Sequence, residues 1–247
     1  MIIYGRNAVL EALRQGQPVR LLLAAGINDA TEREFSKLAR QAGVPVDTVP
    51  RIELDRLVKT TSHQGVAAEV AGLSWSDPDA PRRLAQERGE RLFLVLLDQV
   101  QDPHNFGAII RSAEVLGAHG VIAEERRSAP LSAVVAKTSA GAASHLPVVQ
   151  VKNLPRHMEE LKRSGVWIYA SDVQDGVTPE RLDWDRDVAV VIGSEGTGLR
   201  RLVRKLCDAS VVIPSVGRIG SLNASVAAGV ILYAGLNARR QQSGNGD

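Results

Sequence analysis

Val190-Val191-Ile192-Gly193-Ser194-Glu195-Gly196-Thr197-Gly198-Leu199 carries an apolar run of strand length directly into three glycines and the start of a helix. Buried strands that run through glycine loops into helices are the repeating unit of parallel α/β sheets, whose ligands sit at the carboxyl ends of the strands. The glycine order here is Gly-x-x-Gly-x-Gly, the reverse of a dinucleotide fingerprint, and no lysine follows as a P-loop requires. A carboxylate at Glu195 would repel a pyrophosphate. The loop therefore suits a neutral or cationic ligand, with Glu195 able to accept hydrogen bonds or protons. A plain glycine-rich turn with a capping Glu is the alternative.

The same texture extends to both sides. Apolar runs at 92–97, 120–123, 146–151, 166–170, 188–192 and 211–213 are separated for the most part by helical patterns at 107–116, 131–142, 154–163 and 199–206, and 223–240 closes as a long apolar helix. Such alternation predicts a parallel sheet covered on both faces. Two further strand ends open into polar loops. In 97–111, Asn105 stands where a helix N-cap belongs, and Arg111 lies six residues on, off its helical face. In 212–227, Ile213-Pro214 is followed by small residues and by Ser221-Leu222-Asn223, where Ser221 or Asn223 is a natural N-cap. One such loop is a turn, whereas three on one sheet edge predict a pocket.

Upstream, residues 1–72 read as a small α/β unit: a helix over 8–13 stopped by Gly16, a strand at 19–24, a Thr31/Glu34 capping box, and strands at 44–49 and 66–70 around a helix at 52–58. Residues 73–91 hold two prolines, eight charges and almost no apolar periodicity, which predicts a linker, although 82–91 could instead open the next domain as a charged helix. The expected division is 1–72, a linker at 73–91, a main domain at 92–240 and a polar tail at 241–247.

Length and composition set the outer bounds. The chain has 247 residues, 44% hydrophobic and 23% charged, which excludes collagen-like and mostly disordered classes. No apolar run reaches the roughly 18–20 residues that cross a bilayer, and one cysteine, Cys207, can form neither an internal disulfide nor a multi-cysteine zinc site. A cytoplasmic protein with no membrane and no metal partner is expected. The net charge of +2 does not mark a nucleic-acid binder, but most of the 30 basic residues are Arg, the better phosphate ligand. Arg200, Arg201 and Arg204 share a helical flank, and Arg126 and Arg127 follow a strand end. These five are the candidate phosphate contacts, with a solvated basic face as the alternative reading.

Taken in order, Asn105…Gly107…Arg111, Gly193-Ser194-Glu195-Gly196 and Ile213-Pro214…Ser221-Leu222-Asn223-Ala224-Ser225 resemble the three motifs of the TrmH family of SPOUT-superfamily RNA ribose 2′-O-methyltransferases. The likeness covers nearly all of 92–240. Within the family, Asp102-Pro103-His104-Asn105, Arg127-Ser128-Ala129 and Gly141-Ala142-Ala143 are most similar to bacterial enzymes that methylate a guanosine of 23S rRNA. Those enzymes also carry a kink-turn ribosomal-protein-like N-terminal domain, similar in length and start to residues 1–72.

The resemblance implies a trefoil-knotted domain that binds S-adenosylmethionine (AdoMet) and acts as a homodimer. It places Asn105, Arg111, Glu195, Ser221 and Asn223 at the reacting hydroxyl, and Gly193, Gly196, Ile213 and Leu222 on the cofactor. A tRNA ribose methyltransferase and a non-catalytic RNA-binding assembly protein are the rival readings. A guanidinium has a pKa above about 12 and no acceptor, so it makes a poor base. Arg111 is therefore expected to hold an RNA phosphate and stabilise the oxyanion, with Glu195 as the candidate proton acceptor. For the helix 224–236, small residues at Ala224, Ala228 and Gly235 fit either a core element or an interface.

Overall fold

The structure, a computed structural model, describes residues 2–14, 18–70, 73–172, 176–218 and 220–243. The chain divides into two units, 1–72 and 73–247.

The first unit contains β1 (Ile2–Tyr4), α1 (Arg6–Arg14), β2 (Pro18–Ala24), α2 (Asp29–Gln41), β3 (Val46–Val49), α3 (Arg51–Val58) and β4 (Val66–Val70). Its sheet runs β1-β4-β2-β3, with β4 antiparallel to both neighbours and β3 parallel to β2. Leu21 and Leu23 of β2 enter one core with Val9 and Phe35, while Leu22 and Ala24 enter another with Leu54. Burial on both faces is why β2 is apolar without alternation. The second helix begins earlier than the Thr31/Glu34 box predicts, because the side chain of Asn28 accepts from Ala30 N at 2.9 Å and caps it first. Gly16, the expected stop of the first helix, lies outside the described residues.

The second unit contains α4 (Ala80–Arg88), β5 (Phe93–Asp98), α5 (Pro103–Val115), β6 (Gly120–Glu124), α6 (Ala133–Thr138), β7 (Val148–Val151), α7 (Leu154–Arg163), β8 (Trp167–Asp172), β9 (Val188–Gly193), α8 (Arg201–Leu206), β10 (Ala209–Val212) and α9 (Ala224–Ser243). Its six strands are all parallel in the order β10-β8-β9-β5-β6-β7. Phe93, Val95 and Leu97 of β5 face one core with residues of α5 and α9, and Leu94 and Leu96 face the other with Met158 and Val203. Both faces are covered, as the continuous apolar runs require.

The linker expected at 73–91 is instead part of this unit. Ser76 N donates to Val148 O at 2.8 Å, Trp75 stacks on Phe106, and α4 buries Pro81 and Ala85. Two small buried residues leave no periodic signal in a helix otherwise charged. The expected polar tail at 241–247 also shortens: α9 runs to Ser243, and residues 244–247 lie outside the described residues.

His119 ties α4's end to the sheet. Its Nδ1 accepts from Phe93 N at 3.0 Å, so the proton sits on Nε2, which donates to Glu90 at 2.9 Å. Burial lowers its pKa, and Glu90 only partly opposes this. Burial lowers that of His157 likewise. The unfolded chain, titrating near pH 6.5, then takes up protons that the native state refuses. Stability contributed by these groups is complete above about pH 6.5 and declines as pH falls below it, through the lowered native pKa. The urea midpoint is expected to drop between pH 7.5 and 5.5, and His119→Gln to flatten part of that drop; a midpoint constant over this range would refute it.

Candidate functional site

The register of β5 with β9 sets Asp98 opposite Gly193, so both strands end level at the sheet edge where the strand order turns back on itself. After Asp98 the chain passes Gln99, at φ +62°, and Asp102 caps α5 by accepting from His104 N at 3.0 Å. The cap is therefore Asp102, not Asn105, and the helix starts at Pro103 rather than near 107. Asn105 and Arg111 both lie on α5, six positions and so about 120° apart around it, and with Ala108 between them they line one open groove. Gly107 lies where α5 meets α6: a Cβ there would stand 1.8 Å from Thr138 Oγ1, so no larger residue fits without moving a helix.

After β9, Ser194 and Gly198 exchange backbone hydrogen bonds of 3.2 and 3.1 Å, closing a tight loop. Gly196 and Gly198 take φ of +87° and +65°, and a Cβ on Gly193 would meet the carbonyl carbon of Gly198 at 2.5 Å. The loop projects Glu195 towards α5. Asn105 Nδ2 donates to Glu195 Oε1 at 2.9 Å, Asn223 Nδ2 donates to Asn105 Oδ1 at 3.0 Å, and Asn223 Nδ2 also reaches Glu195 Oε1. Asn223 caps α9, its Oδ1 accepting from Ser225 N at 2.9 Å and Ser225 Oγ at 2.6 Å. Three segments distant in the chain thus meet in one hydrogen-bonded cluster. Glu195 Oε2 takes no part in it.

The cluster lies between two concavities. A cavity of about 170 Å³ is lined by Gln99, Val100 and Asp102 after β5 and by Ser194 and Glu195 of the glycine loop. An open groove of about 810 Å³ runs between α5 and α6 and includes Arg111, Lys137, His104 and Asn223. Asn105 lines both. Lys137 gave no sequence signal, because a single lysine in a short helix carries no pattern. His104 enters the sequence reading only within the Asp102-Pro103-His104-Asn105 stretch.

The remaining expected residues are more dispersed. Ser221 and Leu222 are exposed, Ile213 is half-buried against the larger core, and none of the three lines the cavity or the groove. Arg126 and Arg127 are exposed beyond β6, with Arg127 Nε 3.9 Å from Glu124. Arg201 is exposed, and Arg204 pairs with Asp172.

Arg200 departs from expectation. It lies outside α8 as the N-cap, its backbone N donates to Asp98 Oδ2 at 2.8 Å, and its guanidinium meets Asp98 Oδ1 at 2.5 Å and Glu124 Oε2 at 2.8 Å. Asp98 is fully buried and Glu124 nearly so, and Arg200 itself is only 20% exposed. A guanidinium consumed by two buried carboxylates is not available to a phosphate. Arg200 is a strut between β5, β6 and the glycine loop, and sequence spacing could not separate it from its solvated neighbours.

Among known families, the one described as SpoU rRNA Methylase matches residues 92–233 of this chain. The chain belongs to the SpoU methylase family. The family comprises AdoMet-dependent RNA methyltransferases, so this chain is an enzyme of that class. A second family, described as RNA 2′-O ribose methyltransferase substrate binding, matches residues 2–76.

Over 232 residues the chain is 40% identical to Bacillus subtilis YacO, a protein named for the TrmH family of tRNA/rRNA methyltransferases, covering 94% of this chain and 93% of that one. It is 42% identical over 241 residues to a Mycolicibacterium vanbaalenii protein named as a tRNA/rRNA methyltransferase, covering 97% and 77%. The crystal structure of the SpoU methyltransferase AviRb from Streptomyces viridochromogenes with AdoMet superposes with a TM-score of 0.69 at 29% identity, covering 98% of this chain and 90% of that one. Family membership matches the fold class, the parallel-sheet methyltransferase domain expected from the motifs. Among the described residues no group of His, Cys, Asp and Glu could hold a metal ion, and no helix is long and apolar enough to cross a membrane.

Proposed function

We propose that this SpoU methylase transfers the methyl group of AdoMet to the ribose 2′-hydroxyl of a guanosine in 23S rRNA, in the cytoplasm. The observation that carries the reading is the Asn105–Glu195–Asn223 cluster standing between a cavity beside the glycine loop and a groove with cationic walls. Methyl transfer needs the donor methyl group and the acceptor oxygen in direct in-line contact, with polar groups bordering them and not separating them, and this cluster borders both spaces. The match of residues 2–76 to a substrate-binding family supports residues 1–72 as the domain that recognises the RNA.

AdoMet, when bound, supplies an electrophilic methyl group on a sulfonium. The chain's own residues do the rest. Gly193 at the end of β9 lets the loop close against it, Gly196 leaves open space beside its backbone, and Ile213 and Leu222 supply apolar surface for an adenine face. Ser221 helps to orient the reacting groups. As the 2′-oxygen attacks, its proton goes to Glu195 Oε2, the carboxylate oxygen outside the cluster, while Asn105 and Asn223 hold Oε1. Arg111 stabilises the developing oxyanion and the adjoining phosphate. Arg126, Arg127, Arg201 and Arg204 contribute longer-range attraction for RNA, Arg204 only by exchanging its Asp172 partner.

The enzyme works as a homodimer of trefoil-knotted domains. Val226, Val230 and Tyr233 support the dimer, forming an apolar stripe on α9 that is 50%, 41% and 58% exposed, while Ala228, Ile231 and Leu232 fill the core behind it.

Purified enzyme incubated with labelled AdoMet and fractionated cellular RNA is expected to label 23S rRNA at one guanosine ribose. Label in tRNA alone overturns the substrate, and label in no RNA overturns the reaction. Glu195→Gln is expected to slow single-turnover transfer by roughly 10²–10⁴-fold with AdoMet still bound. A near-normal rate removes Glu195 as the acceptor.

A further inference from the structure

The groove between α5 and α6 is lined by ten residues, and they include no carboxylate and no Phe, Tyr or Trp. Its floor is small and apolar, with Ala108 and Ala133. Most of its polar side chains are already committed. Asn105 and Asn223 spend their amides on each other, on Glu195 and on the cap of α9. Thr138 Oγ1 donates to Val134 O at 2.8 Å, and Ser225 Oγ donates to Asn223 Oδ1 at 2.6 Å. Among the described residues, apart from the second N–H of Asn105, the uncommitted side-chain donors are on Arg111 of the α5 wall, Lys137 of the α6 wall, and His104 at the start of α5.

This inventory selects a ligand. A guanine edge presents N–H donors that need acceptors, and a base face needs an aromatic or guanidinium plane to stack on. The groove holds no carboxylate and no Phe, Tyr or Trp, its amide oxygens already accept hydrogen bonds, and its one guanidinium, Arg111, is the group the proposed reaction gives to the oxyanion and the adjoining phosphate. It offers cationic donors on two walls over a small apolar floor, which fits phosphate oxygens and the carbon face of a sugar. Opposed walls also suit a strand passing between them better than a single phosphate resting on one.

We propose that this groove holds the sugar–phosphate backbone flanking the target nucleotide, with Lys137 and His104 gripping phosphates beside Arg111, and that the target base is not read there. The inference rests on the RNA methyltransferase reading above and adds residues to it. Base identity is then selected outside the groove.

The test uses the full-length protein with 23S rRNA transcripts, scoring RNA binding by itself and apart from turnover. Lys137→Gln is expected to weaken RNA binding several-fold and to reduce the slope of log K against log salt by about 0.7–0.9. Lys137→Arg restores the slope, and AdoMet affinity matches the wild type in both variants. Transcripts carrying guanosine or adenosine at the methylated position are expected to suffer the same fold-loss from Lys137→Gln. An unchanged salt slope overturns the phosphate contact, a loss confined to the guanosine transcript overturns the base-blind groove, and lost AdoMet affinity moves Lys137 to the donor side. If the wild type binds RNA yet methylates none of it, the methyltransferase reading fails while the groove assignment is still decided by the slope.

Discussion

Arg200→Met is expected to destabilise the second unit by about 3–5 kcal/mol, the cost of leaving buried charges without their partner. The methionine keeps much of the side-chain volume but removes the cation that Asp98 and Glu124 share. Neither carboxylate can turn to water, since Asp98 ends a central strand and Glu124 also accepts from Leu154 N at 3.3 Å. Arg200→Lys should recover only part of the loss, because one ammonium does not reproduce a fork that meets two carboxylates from different strands. The triple variant Asp98→Asn, Glu124→Gln, Arg200→Met should be more stable than the single one, because the charges then leave together. Urea denaturation at fixed pH measures all of these. A loss below about 1 kcal/mol for Arg200→Met would return Arg200 to the class of solvated surface arginines. The same substitution should leave the salt slope of RNA binding in the folded protein as it is.

Arg111→Ala is expected to act in the opposite way, costing rate and not stability. Arg111 is exposed, lines the groove beside Asn105, and has no partner among the described residues, so its loss should change unfolding by no more than about 0.5 kcal/mol. In the proposed reaction it faces charge that develops on the 2′-oxygen. Removing one such donor lowers a rate by about 10²–10³-fold, or about 2.7–4 kcal/mol of barrier. Arg111→Lys should fall between, since it keeps a point charge without the planar fork. Single-turnover transfer at saturating AdoMet and RNA reads the effect. A rate within fivefold of the wild type would remove Arg111 from the reacting centre.

These two arginines show where sequence reading succeeds and where it stops. Arg111 is marked by its place in a motif although it is off the helical face of Asn105, and the structure keeps that offset: both line the groove because it is wide, not because they share a face. Arg200 falls into one group with Arg201 and Arg204 because all three are basic and share a flank by helical spacing. Its partners are 102 and 76 residues away, and nothing local marks Asp98 or Glu124 as buried carboxylates. Lys137 escapes local reading for a related reason: its place on the groove wall depends on which helix lies opposite, not on its neighbours in the chain.

Local pattern in the chain is enough for the parallel sheet, the helices between its strands and the three polar loops of the candidate site. Strand-length apolar runs, glycines and caps act over a few residues, and the chain states them directly. It takes the folded chain to show that 73–91 packs on the sheet, that β5 lies between β9 and β6, and therefore that Glu195 meets Asn105 and Asn223. Strand order and register are set by packing summed over both faces of the sheet. No short stretch of chain contains that sum, and so no local pattern could have announced where the loops would meet.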